Sequence, residues 1–232
     1  MKNQIHSLFV VGLLISTLGL TTQAQTFGVG VQGGLNVSAY SGNDARYLQF
    51  EGLTRLDRKA IVDFNYGIFG FYKPSENFAV NLDVLVTRVG NTWDEFDTEV
   101  RVAATYLELP LTAQFYLPSE GSLKPKFFLG PYARIGLQGE VKTILGPEVT
   151  TSSVIFRDNP SEPAAEPLLS KTTYGAVVGV GVDYFMDNGR VVRADIRYNY
   201  GLSKVFPDIG DEDALEIRSN ALMLTVGIGL TK

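Results

Sequence analysis

The chemistry open to this chain is narrow. It has no cysteine, and its one histidine is His6, near the start of an apolar leader. Ser-His, Cys-His and histidine-metal arrangements are therefore absent from everything beyond residue 24. What remains is carboxylate and guanidinium chemistry at Asp83, Glu108, Arg134, Asp183, Arg193, Asp195 and Arg197. Arg193, Asp195 and Arg197 recur at every second residue, which places them on one face of a strand. Such a ladder can line a solute path or form a catalytic group. Because burial demands that charges be paired, the reading taken here is a self-neutralising structural network. No pair of carboxylates stands out for a carboxylate-only mechanism, and no catalytic residue is assigned.

Two further patterns have a chemical reading and a plainer one. Gly28, Gly30 and Gly33 spell a dinucleotide fingerprint, but they lie inside a β-alternating run instead of at a strand-to-helix turn, so no helix N-terminus meets a pyrophosphate. Relief of crowding in a bent strand is the plainer use. The segments Asp94-Glu95-Phe96-Asp97 and Asp211-Glu212-Asp213 offer oxygens to a divalent cation, yet lack the ligand spacing of a calcium loop. They read as solvated acidic loops. No cofactor and no metal site are expected.

The elements that position these groups all alternate with period two. From Leu107 to Leu117 every odd residue is apolar, while Tyr106, Glu108, Pro110, Thr112, Gln114 and Tyr116 form the other face. Similar runs are read at 27–40, 65–73, 78–90, 126–138, 172–186, 190–202 and 221–230. In the run at 65–73 the facing is ambiguous, with Tyr66, Ile68 and Tyr72 opposing Phe69 and Phe71. In 126–138, Tyr132, Arg134 and Gln138 share the polar face. Short turns at 74–77, 118–122 and 187–189 alternate with longer connections at 41–63, 91–99, 139–171 and 203–216. Asp187-Asn188-Gly189 is a strong hairpin signal.

Hydrophobic content of 45% with 19% charged residues is too apolar for disorder, and a net charge of −5 without a basic cluster argues against nucleic acid. Lys2, the apolar stretch Leu8 to Leu20 and the junction Thr22-Gln23-Ala24 predict a secretory signal over 1–24, cleaved after Ala24, with residues 25–232 as one mature domain. No later stretch approaches 18 uninterrupted apolar residues, so a transmembrane helix is not expected.

Eight two-faced strands with alternating short and long connections predict an all-β, eight-stranded antiparallel up-and-down transmembrane β-barrel, with its termini on the short-turn side. Closure leaves no edge to hydrocarbon, which the membrane interior requires. A soluble lipocalin-like barrel also alternates, but its outer face would carry many Lys and Glu. Here the few strand charges are of mixed sign and fit a narrow lumen that side chains fill. Tyr66, Tyr72, Phe78, Tyr106, Tyr116, Tyr174, Tyr184 and Tyr200 sit near strand ends, where interfacial girdles are expected. Leu109 is expected to face lipid.

Several pieces taken in order resemble the PorT-like outer-membrane β-barrel family of Bacteroidota-type bacteria. They are Tyr106-Leu-Glu-Leu-Pro-Leu111, Leu129-Gly-Pro-Tyr132, Tyr174-Gly-Ala-Val-Val-Gly-Val-Gly-Val-Asp-Tyr184 and Arg197-Tyr-Asn-Tyr-Gly-Leu202. The resemblance implies an exported, integral protein of the cell outer membrane, in contact with lipid and lipopolysaccharide and handled by the barrel assembly machinery. A secretion-system or other extracellular partner is left unnamed. The expectation is a non-enzymatic structural or interaction role through the extracellular loops. The alternatives are a narrow passive channel and a soluble exported barrel binding a small apolar ligand.

Overall fold

The computed structural model describes residues 26–42, 57–95, 98–156, 168–206 and 217–232. Its strands are β1 (Thr26–Ser41), β2 (Asp57–Ser75), β3 (Phe78–Glu95), β4 (Thr98–Tyr116), β5 (Leu123–Leu145), β6 (Glu148–Ser153), β7 (Ile155–Phe156), β8 (Leu168–Leu169), β9 (Thr172–Met186), β10 (Arg190–Gly201) and β11 (Arg218–Thr231). Among the described residues there is no helix. Eight of these strands hydrogen-bond in the order β4-β3-β2-β1-β11-β10-β9-β5, and the β4–β5 pairing closes the ring. All eight pairings are antiparallel.

The register sets the shape of the cylinder. Following paired residues once round the ring from Phe27 leads through Tyr72, Val80, Ala113, Leu129, Val178, Tyr198 and Leu222 to Val37. The path returns to β1 ten residues beyond its start. With a rise of about 3.3 Å per residue and strands about 4.8 Å apart, this stagger over eight strands requires a tilt of about 40°. Ten residues at that tilt climb about 25 Å, the height of an outer-membrane apolar band.

The outward faces form that band. Val31, Ile68, Leu82, Leu111, Leu129, Val180, Ile196 and Val226 are exposed, one from each strand of the ring. Between the girdles no outward position among the described residues carries a charge. On the turn side Phe27, Tyr72 and Tyr184 are exposed. Beside them the Phe78, Phe115 and Phe127 rings run across β3, β4 and β5 at 5.4 and 5.0 Å between centroids. On the loop side Phe64, Tyr66, Tyr174, Tyr198 and Tyr200 are exposed. Tyr106 and Tyr116 do not join the girdles: both are buried inside the cylinder. On β4 they share parity with Glu108, and parity outranks nearness to a strand end.

Other sequence readings change in detail. In β2, Phe69 and Phe71 point inward and Tyr66, Ile68 and Tyr72 outward, which removes the ambiguity of that run. Leu137 is an extra residue in β5, because Thr105 pairs with Gln138 and Tyr106 with Gly136. The bulge flips the parity beyond it, so Gln138 is exposed instead of sharing the inner face with Tyr132 and Arg134. Strands also reach well into the stretches read as loops. β2 begins at Asp57, β3 runs to Glu95, β4 starts at Thr98, and β5 continues to Leu145 before β6 folds back on it. A second irregularity, where residues 61–64 of β2 face 88–90 of β3, bends this extension.

The turns follow their residues. Gly189 has φ +74°, a left-handed conformation that glycine adopts without strain, and its N–H donates to the Met186 carbonyl at 3.1 Å. Gly146, at φ +54°, plays the same part between β5 and β6.

The filled lumen as candidate functional site

Inward-facing polar side chains form three tiers between the turn side and the loop side. In the lowest, Lys126 Nζ donates to Asp183 Oδ1 at 2.7 Å and stands 3.1 Å from Asp195 Oδ1. Asp183 Oδ2 accepts from the Tyr116 hydroxyl at 2.7 Å and lies 3.6 Å from Arg193 Nη2. Arg193 Nη1 donates to Asn81 Oδ1 at 2.9 Å, and its guanidinium lies 3.9 Å from the centre of the Phe69 ring. Asn81 Nδ2 in turn donates to Asp83 Oδ1 at 2.9 Å, which links this tier to the next.

In the middle tier Arg197 donates to Asp83 Oδ2 at 2.8 Å and to Thr225 Oγ1 at 3.3 Å. In the upper tier Arg134 Nε donates to Glu108 Oε2 at 2.5 Å, and Asn199 Nδ2 donates to Glu108 Oε1 at 2.7 Å. Apart from Asn81 with Asp83 on β3, each pairing crosses between strands: Glu108 and Arg134 face each other on neighbouring β4 and β5, while closure of the ring brings Arg197 of β10 to Asp83 of β3. Buried carboxylates and cations balance: Asp83, Glu108, Asp183 and Asp195 against Lys126, Arg134, Arg193 and Arg197. Two charges removed from water cost several kcal/mol each unless such pairs form.

All seven charges singled out from the sequence thus lie inside the cylinder. Lys126 was missed. Two signals pointed to it: it shares parity with Phe128, Tyr132 and Arg134, and the seven comprise four acids but only three cations. Charge balance in a closed lumen demands the fourth.

Apolar caps bound the tiers, and neither was read from the sequence. On the turn side Phe69 and Phe71 stack at 6.4 Å, and Phe185 meets Phe71 edge-on at 6.2 Å. On the loop side Tyr40, Trp93, Val102, Tyr106, Val141 and Met223 from the wall pack with Val154, Leu169, Val205 and Ile217. Phe156 closes over Tyr106, ring centres 5.8 Å apart. Backbone bonds moor this cap: Gly136 N–H to the Lys171 carbonyl, Val154 N–H to Gly139, and Val205 N–H to Ile217.

Inward glycines supply the room. A Cβ at Gly28 would stand 2.3 Å from the Phe71 ring and one at Gly30 2.5 Å from Phe69, so two glycines of the dinucleotide-like pattern are seats for aromatic rings. Likewise a Cβ at Gly136 would lie 2.4 Å from Phe156.

The candidate cation segments gain nothing from the fold. Asp94 lies in β3 with Lys59 Nζ at 2.6 Å, while Asp97 and Asp211-Glu212-Asp213 fall outside the described residues. Among the described residues no three His, Cys, Asp or Glu side chains gather as metal ligands.

A closed ring of eight strands with a charge-free apolar belt, two aromatic girdles and a self-paired interior defines a β-barrel of the outer-membrane type. Residues 23–207 match the family model for the outer membrane protein beta-barrel domain, and the protein belongs to that family, whose place is the outer membrane. Comparison of the sequence with curated proteins gives no match. Among solved structures, the outer membrane protein OprG from Pseudomonas aeruginosa aligns with a TM-score of 0.52 at 10% identity, over 90% of this chain and 97% of that one. The outer membrane protein AlkL, determined in DMPC bilayers, gives 0.49 at 17% identity over 92% and 93% of the two chains. Outer Membrane Protein W of E. coli gives 0.43 at 17% over 89% and 98%. At such identities the OprG likeness speaks for the fold alone.

Proposed function

We propose that this protein is a sealed outer-membrane barrel whose interior is structural and whose activity is exerted at the cell surface by its loop-side end. The observation that carries the reading is the continuous filling of the lumen: an aromatic floor, three charge-paired tiers and an apolar cap in succession. Loops and strand extensions on the far side are left as the surface available to partners.

The rest of the reading is of one piece with this. Residues 1–24 are a signal removed after Ala24, and 25–232 form the mature barrel. The Leu-Glu-Leu-Pro piece and its companions resemble those of PorT-like barrels, and that resemblance supports passage to the membrane through the barrel assembly machinery and a place among lipopolysaccharide. No enzymatic step is proposed, since a chain without Cys, and without His beyond residue 24, has no nucleophile-base pair of the usual kinds.

Gln32, Asn65 and Thr87 favour a second reading. They carry buried side-chain polar atoms without a protein hydrogen-bond partner, as a narrow hydrated path would. Single-channel recording in planar bilayers separates the two. A sealed barrel gives no conductance steps, and reproducible steps from the unmodified protein would overturn the proposal.

A further inference from the structure

Inward glycines of the wall are demanded by close packing. A Cβ at Gly34 would lie 1.8 Å from the Leu224 carbonyl oxygen, and one at Gly67 2.0 Å from that of Val84. Gly33 and Gly70 differ. Both have outward parity within the apolar belt, and neither has a positive φ. A Cβ at Gly70 would meet no atom nearer than 3.9 Å, and one at Gly33 none nearer than 3.4 Å. The backbone there has no need of glycine, which weakens a strand interior and often marks the close approach of a ligand. What the two positions share is the hollow each leaves in the outer wall.

Leu230, Val29, Gly70 and Leu82 form one row across β11, β1, β2 and β3. The missing side chain at Gly70 opens an apolar groove of about 530 Å³. Beyond the ridge of Val31 and Ile228, Gly33 opens a second hollow of about 330 Å³, bounded by Val192 and Val226. Both begin near the turn-side girdle, since Val29 stands about 5 Å above Phe27 at the barrel's tilt. The short turns of such barrels face the periplasm, so the medium against these hollows is the inner leaflet.

Two cations stand at the foot of the hollows. Arg190 pairs with Leu230, and the Lys232 backbone exchanges hydrogen bonds with Phe27 in both directions, so both side chains share the outward face. Both residues are exposed, and neither has an ion-pair partner among the described residues. Asp187, the acid nearest to Arg190 in sequence, lies in the turn before it without forming an ion pair.

We propose that this wall binds one glycerophospholipid of the inner leaflet, its acyl chains in the hollows at Gly70 and Gly33 and its phosphate at Arg190 and Lys232. The assignment is independent of how the loop side acts. Acyl chains gain contacts by filling space that the side chains leave open, and the phosphate accepts hydrogen bonds from the guanidinium and the ammonium. A second copy fits this face poorly. Copies in one membrane share an orientation, so the two-fold axis relating them is the membrane normal, and Arg190 and Lys232 of each would meet those of the other at one level. Like charges so juxtaposed oppose association.

The test uses the full chain folded in dodecyl maltoside micelles, which hold no phosphate, with labelled methyl groups followed by NMR. The probe is dioleoylphosphatidylglycerol carrying a nitroxide on one chain, and its control is the matching dioleoylglycerol, which lacks the phosphate. Expected is saturable broadening at Val29, Val31 and Ile228, with affinity about tenfold weaker for the control. Leu129 and Val180, at similar depth across the barrel, should stay sharp. Gly33→Leu combined with Gly70→Leu fills both hollows and should abolish the broadening. Arg190→Gln combined with Lys232→Gln should erase the difference between the two lipids, and this variant, altered only at exposed positions, decides the matter even where the filled one fails to fold. Equal broadening on both walls overturns the inference, as does saturation that survives filling of the hollows. So does equal affinity of the unmodified protein for the two lipids, or contact between separately labelled copies at Val29 without lipid.

Discussion

Replacing Lys126 by Met leaves the apolar stem in place and removes one charge. The ammonium lies 2.7 Å from Asp183 and 3.1 Å from Asp195, and its side chain has no exposure. At an effective dielectric of about 20, two such contacts are worth about 6 and about 5 kcal/mol before desolvation. Desolvating an ammonium and its carboxylates cancels much of that, and removing one partner of a buried pair costs about 3–5 kcal/mol net. Asp183 keeps Tyr116 and Arg193, whereas among the described residues Lys126 is the only ion-pair partner of Asp195 within 4 Å. The second substitution Asp195→Asn, which makes the lumen neutral again, should therefore recover a large part of the loss. Equilibrium urea unfolding of the barrel in lipid vesicles measures both variants. A loss below about 1 kcal/mol for Lys126→Met, the range of exposed ion pairs, refutes the reasoning, as does a double variant no more stable than the single one.

Depth should govern charge on the outer face. Leu111→Arg, midway up the belt, is expected to cost about 2–4 kcal/mol, and Leu123→Arg, at the turn-side end of β5, about 0–1 kcal/mol by the same unfolding assay. At Gly179 a Cβ would lie 2.4 Å from Phe128 and 2.6 Å from the Ile196 carbonyl. Gly179→Val should destabilise by about 1–3 kcal/mol, with partial relief in a Phe128→Ala background because the backbone clash persists. Phe156→Ala should loosen the loop-side cap and speed amide exchange at Tyr106 and Val141, yet leave single-channel recordings silent, since the paired tiers below remain.

Where a side chain faces was legible wherever parity held. Tyr106, Glu108, Pro110, Thr112, Gln114 and Tyr116 all point inward, and the apolar partners of that run point out. Parity failed at the bulge, where Leu137 adds a residue and Gln138 turns to the exterior. No residue type announces a bulge, because it is a compromise between neighbouring strands. Loop-side extensions escaped notice for a related reason. The stretch Glu148 to Ser153 has no apolar face to alternate, and β6 forms because β5 beside it leaves an edge to pair.

The amino-acid order alone determined the eight strands of the wall, the side a residue occupies wherever parity is unbroken and the absence of thiol and imidazole chemistry beyond residue 24, because these depend on period and composition. Which charge meets which was decided by the closed ring. Closure with a stagger of ten residues carries Asp83 to Arg197, Glu108 to Asn199 and Lys126 to Asp195, whereas Glu108 faces Arg134 directly across the neighbouring β4 and β5. That stagger is a property of the whole circumference, set by bulges and turns together, so no local stretch of sequence contains it.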